Sequence, residues 1–215
     1  MRPTVLLTLG LAACLLPACV LAEQPAPAAS SAASSSAQPL PDPAAYVAQQ
    51  FGSSFTVDPK IPPLFGDLDG DGNEDLVLVA TSKTPLLAQD QFHYKVEDPY
   101  DGYFGTGDAK ITSTFSLHFD GSARDILIVF NWRQPQTQDP KQLHKHPTKF
   151  VLINTPFESL SINPNKMSLK KKMSVQPMET VDSTSLHSLL VWDGRRWHWI
   201  AQGMDGDEPV MPRKN

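Results

Sequence analysis

The chain has 215 residues, 40% of them hydrophobic and 19% charged, with 20 Pro, 12 Gly and only 2 Cys. That length suffices for one well-buried domain with room for a tail. The formal net charge of -5 argues against a nucleic-acid binder working by phosphate neutralisation, which needs a gathered basic face, and beyond residue 22 no apolar run approaches the ~20 residues of a membrane-spanning helix.

Arg2 is the only charge before Glu23, and Val5 to Ala22 is apolar. A short basic head, an apolar middle and a small-residue exit describe a bacterial export signal over 1–22. Two processing routes stand open. Val20-Leu21-Ala22 suits cleavage by signal peptidase after Ala22, whereas Leu11-Ala12-Ala13-Cys14 and Leu16-Pro17-Ala18-Cys19 resemble the lipobox at which Cys14 or Cys19 would receive a lipid anchor. The expected location is the periplasm, the cell envelope or the extracellular space. Neither cysteine falls in the folded part, so disulfides and thiol catalysis are not expected. In the next segment, 23–42, 15 of 20 residues are Pro, Ala or Ser. Such a composition has little to bury and makes a disordered linker, which leaves 43–215 as a single β-rich domain.

Within that domain the first element is a short helix, Pro43 to Phe51, with Asp42 placed to cap it, Pro43 in its first turn and Gly52 to end it. Strands are expected at Asp75–Ala80, Asp125–Phe130 and Lys149–Asn154, each a continuous apolar run, and at the loosely alternating Ile111–Leu117. The polar, proline-studded stretch from Asn131 to Pro147 reads as a long exposed loop. Near the end, Leu189–Trp192 meets Arg195–Ile200 across Asp193-Gly194, a pair suited to a two-residue type I′ turn. That register sets Trp192 opposite Arg195 and Leu190 opposite Trp197, and puts Trp192, Trp197 and Trp199 on one face. Core packing is the preferred reading of the aromatic patch, since large rings gain most by burial; an exposed binding surface that stacks sugars is the other. The expected fold is mainly β, a compact antiparallel sheet or sandwich with one short N-terminal helix.

The chemistry sits in Phe65-Gly66-Asp67-Leu68-Asp69-Gly70-Asp71-Gly72-Asn73-Glu74-Asp75-Leu76. Alternate carboxylates on a tightly wound loop converge on a point, Gly72 permits the sharp turn, and the backbone carbonyl of Asn73 can complete the wrap around a hard cation. The candidate metal ligands are Asp67, Asp69, Asp71, Asn73 and Asp75, and the candidate cofactor is one Ca²⁺. An ordinary EF-hand is rejected, because the position of its bidentate Glu is Leu78 and the exit is Leu-Val-Leu-Val, a strand rather than a helix. The Phe-Gly lead, the acidic ladder and the departing apolar strand over Phe65–Val79 resemble a single FG-GAP or VCBS calcium-loop repeat, as found in integrin-type β-propellers. The resemblance implies calcium binding and adhesion-type roles, and does not imply catalysis. A full propeller needs four to eight blades, more than 43–215 can supply.

Weaker constellations complete the inventory. Glu97–Asp108 mixes acids, aromatics and glycines in a manner that turn chemistry explains. His144-Lys145-His146 is an H-x-H pair without a supporting third ligand, and Lys166 with Lys170–Lys172 reads as a solvated basic face. No G-x-S-x-G, Walker or G-x-G-x-x-G pattern occurs. Two functions follow as expectations: a non-enzymatic exported module whose calcium loop stabilises a surface for an unknown protein or glycan ligand, or a metal-dependent envelope hydrolase with the Asp-rich segments 67–75 and 98–108 flanking a cleft.

Overall fold

Asp42 caps α1 (Pro43–Phe51): its carboxylate accepts from the Ala44 and Ala45 N–H groups, and the Gly52 N–H closes the far end on the Ala48 carbonyl. The computed structural model describes residues 40, 42–104, 123–135, 139–169 and 173–202. The segment 1–22 expected to be an export signal, with Cys14 and Cys19, nearly all of the expected linker, the strand expected at 111–117, and Lys170–Lys172 lie outside them. After α1 come β1 (Phe55–Val57), β2 (Leu64–Gly66), β3 (Asp75–Ser82), α2 (Gln89–Phe92), β4 (Lys95–Glu97), α3 (Pro99–Phe104) and β5 (Arg124–Val129). The chain continues through α4 (Pro140–Lys145), β6 (Lys149–Leu152), β7 (Ser159–Ile162), β8 (Met167–Ser168), β9 (Ser174–Val175), β10 (Met178–Val181), β11 (His187–Trp192) and β12 (Trp197–Ala201).

The strands form two main sheets and a small ribbon. The first runs β1-β3-β5-β6-β4, with β2 also on β3; the second runs β12-β11-β10-β7; β8 and β9 pair alone. Every pairing is antiparallel except that of β4 with β6. The described residues therefore make a mainly β molecule, with neither a closed barrel nor a propeller among them.

Layering explains the continuous apolar runs. Val77, Val79, Ile126, Ile128, Phe150 and Leu152 turn one face of the first sheet onto Met178, Leu190, Trp192, Trp197 and Trp199 of the second. Their alternate neighbours Leu76, Leu78, Leu127, Val129 and Val151 face Val47 and Phe51 of α1 instead. A third cluster, Val175, Leu189, Val191 and Ile200, seats the ribbon on the outer face of the second sheet. A strand covered on both faces loses the alternation that marks a half-exposed one, so β3, β5 and β11 read as unbroken hydrophobic segments.

The structure corrects several details. The β11–β12 turn spans Asp193–Arg196, so Trp192 pairs with Trp197 and Leu190 with Trp199. The Asp193 carboxylate accepts from both the Arg195 N–H (2.8 Å) and the Arg196 N–H (2.9 Å), which favours the wider turn. A shift of two residues preserves the face, and the three rings still cluster together. They lie in the core, with Trp192 7%, Trp197 1% and Trp199 2% exposed and Phe150 4.8 Å from Trp192; none offers a ring face to a sugar. The 131–147 stretch is not all loop, because Asp139 caps α4 through the Lys141 N–H and α4 buries Leu143. Likewise α3 begins where turn chemistry alone was expected: Asp98 accepts from the Asp101 N–H at 2.9 Å, with Pro99 in the first turn.

Candidate functional site

The acidic loop is the tip of a hairpin. β2 enters it, β3 leaves it, and Gly66 opposite Asp75 is the last pair before the loop. Gly70 at φ +78° and Gly72 at φ +88° supply the left-handed turns that wind it. Gly70 is also required for space, since a Cβ there would lie 2.9 Å from the Ser174 carbonyl oxygen, whereas Gly72 faces open space.

The carboxylates fold the loop by accepting from its own backbone. Asp67 takes the Gly70 N–H at 2.9 Å, Asp69 the Asp71 N–H at 3.1 Å, and Asp71 the Asn73 N–H at 2.8 Å. This arrangement brings one oxygen from each of Asp67, Asp69 and Asp71 within 4.8 Å of one another, a group that could hold a metal ion. Asp75 plays a different part. Fully buried, it accepts the Leu68 N–H on one oxygen (2.7 Å) and the Asn131 N–H on the other (2.8 Å), tying loop, β3 and the end of β5 together. Asn73 lies beside Asp71, to which its side chain also hydrogen-bonds.

Crowding shows in the acidities. Burial first, then the charges of Asp71 and Asp67, push Asp69 up to about 6. Burial drives Asp75 up to about 7, with Asp69 and Asp71 adding to the effect against its two backbone donors. Burial also works upward on Asp71, but hydrogen bonds from Asn131 and Asn73 outweigh it and hold that carboxyl below its ordinary range. A cation placed among these groups would relieve the repulsion that raises Asp69 and Asp75.

Three further residues belong to the site. Asn131, at φ +54°, donates its Nδ2 to Asp71 at 2.8 Å; Asn is among the few residues that accept a left-handed backbone, and its position just after the 125–130 run is the signal that could have found it. Lys166 is not simply solvated, for its ammonium sits 2.6 Å from Asp67. Gln176 brackets the same residue, its side-chain carbonyl accepting the Asp67 N–H and its own N–H donating to the Asp67 carbonyl oxygen, both at 2.8 Å. These contacts join residues 60, 99 and 109 positions apart and carry no local pattern.

Beside the loop lies an open cleft of about 1260 Å³, reached by Asp69 and Asn131 from the loop end, by α2 and α4, and by the tip of the β11–β12 hairpin. No described residue of the 98–108 segment lines it. Asp98 is instead buried, occupied by α3 and by the Asn154 side chain, and Asn154 holds it from the end of β6. Residues 105–108 lie outside the described residues, as does the side chain of His144, so the H-x-H pair is represented by His146 alone. Among the described residues no helix is long and apolar enough to cross a membrane. A scan against protein-family models and searches of curated proteins and of solved structures found no match to the chain.

Proposed function

We propose that the protein is an exported, non-enzymatic module of the bacterial envelope, in which one FG-GAP/VCBS-like loop over 65–79 binds Ca²⁺ and stiffens a surface that recognises a protein or glycan. The observation that carries this reading is the convergence of Asp67, Asp69 and Asp71 oxygens within 4.8 Å on a glycine-wound hairpin. Carboxylate oxygens in this number suit a hard cation, and Ca²⁺ tolerates an irregular shell better than Mg²⁺, which demands a tight octahedron. Asp67, Asp69 and Asp71 would hold the ion, the Asn73 carbonyl would complete the wrap, and Asp75 would brace the loop from beneath. Bound there, the ion neutralises the carboxylates and locks the β2–β3 tip. Lys166 would give up Asp67, the one ligand it now shares.

Thermal melting with calcium, with magnesium and with EDTA tests the proposal. At a calcium concentration ten times the dissociation constant, linkage gives about 1.4 kcal/mol, equivalent to a rise of about 3–6 °C in a domain of this size. Magnesium should raise the melt less. Asp69→Ala and Asp71→Ala should abolish the calcium effect while still folding. Calorimetry without heat of binding at several millimolar calcium, and an unmoved melt, would leave the loop a self-sufficient acidic turn. Mass spectrometry of protein from the native host checks export: a mature N-terminus at Glu23, or a lipid on Cys14 or Cys19, is expected, and recovery of intact Met1 in the cytosol would refute it.

A further inference from the structure

We infer that the β8–β9 ribbon is an oxidation-sensitive latch on the acidic loop, with Met167 and Met173 as its modification sites. Conversion of both thioethers to sulfoxides by a hydroperoxide unseats the ribbon and slackens its grip on the loop. The inference goes beyond the function proposed above and needs no ion in the loop.

The grip is direct. Gln176, next to β9, accepts the Asp67 N–H on its side chain and donates its own N–H to the Asp67 carbonyl oxygen. The Ser174 carbonyl backs Gly70, where a Cβ would lie only 2.9 Å away. Lys166, one residue before β8, pairs with the Asp67 carboxylate. The position of the loop therefore depends on the position of the ribbon.

The ribbon has little to hold itself. β8 and β9 are two residues each, and an isolated pair of strands is marginal in water at best. What fixes them is an apolar seat on the second sheet. Val175 is buried with Leu189, Val191 and Ile200, and Met167, Leu169 and Met173 pack against that cluster. Two of the four side chains that the ribbon and its turn put into this seat are methionines. Met173 also sets its Sδ against the hairpin tip, where a Cβ on Gly194 would come within 3.3 Å of the sulfur.

The placement of sulfur singles out this pair. Both cysteines precede residue 23, so among the described residues methionine carries all the sulfur. Met178 is fully buried between the main sheets, whereas Met167 and Met173 are each partly exposed. The two accessible thioethers thus share one seat. In the reaction the sulfur lone pair attacks the terminal peroxide oxygen. The S–O bond forms as the O–O bond breaks, the proton of the attacked oxygen passes to the leaving oxygen, and water or an alcohol departs. Sulfur is oxidised by two electrons and the peroxide is reduced by two. An apolar, flexible side chain becomes a polar one, and burying its new acceptor against Leu189 and Val191 is unfavourable.

Amide exchange by NMR tests this in EDTA, on protein treated with hydrogen peroxide and mapped by peptide mass spectrometry. Oxygen should appear at Met167 and Met173 before Met178. Protection at the Asp67, Leu169 and Gln176 amides should then fall about tenfold, the effect of one uncompensated polar group in the seat, while β3 and β5 stay protected. Methionine sulfoxide reductase should restore both mass and protection. The double variant Met167→Leu, Met173→Leu conserves apolar volume and keeps every other methionine, so it should hold its protection through the same treatment. Resistance of Met167 and Met173 to peroxide, sulfoxides formed there with protection unchanged, oxidation of Met178 in step with them, or equal loss of protection in the treated double variant would each overturn the latch. Should that variant not fold, the mapped and reductase-reversible change in the unaltered chain decides alone. No step involves calcium, so a loop that binds none leaves this result untouched, and a failed latch leaves the calcium melts standing.

Discussion

Asp125 is the least comfortable residue in the fold. It is fully buried in β5 with no well-formed hydrogen bond on either side-chain oxygen; burial pushes its carboxyl up to about 8, against the weaker downward pull of a loosely placed Ser82 N–H. Tyr94 is the titratable group that feels its charge. The unfolded chain ionises such a group near its ordinary value, about 4, while the folded chain keeps the proton until about 8. Between those limits the native state binds more protons than the unfolded state, so stability falls as pH rises, by at most about 1.4 kcal/mol per pH unit, and levels off above. Asp125→Asn should therefore melt higher than the unaltered protein at pH 8 and nearly alike at pH 4. Some slope should persist, because Asp75, held up to about 7 by burial, acts in the same sense. Lys166 gives the opposite kind of test. Its ammonium is 45% exposed and neutralises Asp67 at 2.6 Å, so Lys166→Met should lower the melting temperature in EDTA yet tighten calcium binding in calorimetry, since the ion no longer competes with a tethered cation. Weaker calcium binding in that variant would mean that Lys166 shapes the loop rather than competing for it.

At the scale of elements, the β11–β12 hairpin carries the most weight. Its inner face gives Leu190, Trp192, Trp197 and Trp199 to the core between the sheets, and its outer face gives Leu189, Val191 and Ile200 to the ribbon. Trp197→Ala should cost about 3–5 kcal/mol, read by chemical denaturation; an unchanged midpoint would show that the core closes over the gap. This hairpin also marks how far local sequence reaches. Aromatic and β-branched residues around Asp193-Gly194 announce two strands and a turn, but a two-residue and a four-residue turn put the same rings on the same face, and only the Asp193 side-chain bonds to Arg195 and Arg196 choose between them. α1, β3, β5 and β6 were equally legible, since each is a capped helix or a long apolar run. α3 and α4 were not: each is six residues long, too short for an apolar period to emerge, and only the Asp-Pro pairs that open them carry a signal. The acidic ladder was legible because its residues lie close in sequence, whereas Asn131, Lys166 and Gln176 reach it through the tertiary fold.

The molecule as a whole is assembled from distant partners. In the first sheet Val77 lies opposite Ile128, and Val96 opposite Val151. The mainly β, largely antiparallel character was legible in the apolar runs, whereas the split into two main sheets and the parallel entry of β4 beside β6 were not, because β4 is three residues long and its pairing depends on a chain that has already turned back. That arrangement carries a cost in time. Each such pair must close a loop of about fifty residues before any contact rewards it, and folds dominated by non-local pairing take milliseconds to seconds rather than microseconds. The β11–β12 hairpin, by contrast, can zip locally within microseconds, so the rate-limiting event should be the meeting of β3 with β5. Stopped-flow refolding should then show Val77→Ala chiefly slowing folding and Trp197→Ala chiefly hastening unfolding. The reverse pattern would put the hairpin in the nucleus. If β3 with β5 is the nucleus, the acidic loop, whose exit strand is β3 itself, acquires its shape at the same moment as the core, and an ion binding there has a speed of arrival as well as an affinity: it can bind only after the slowest step in the chain's folding is over.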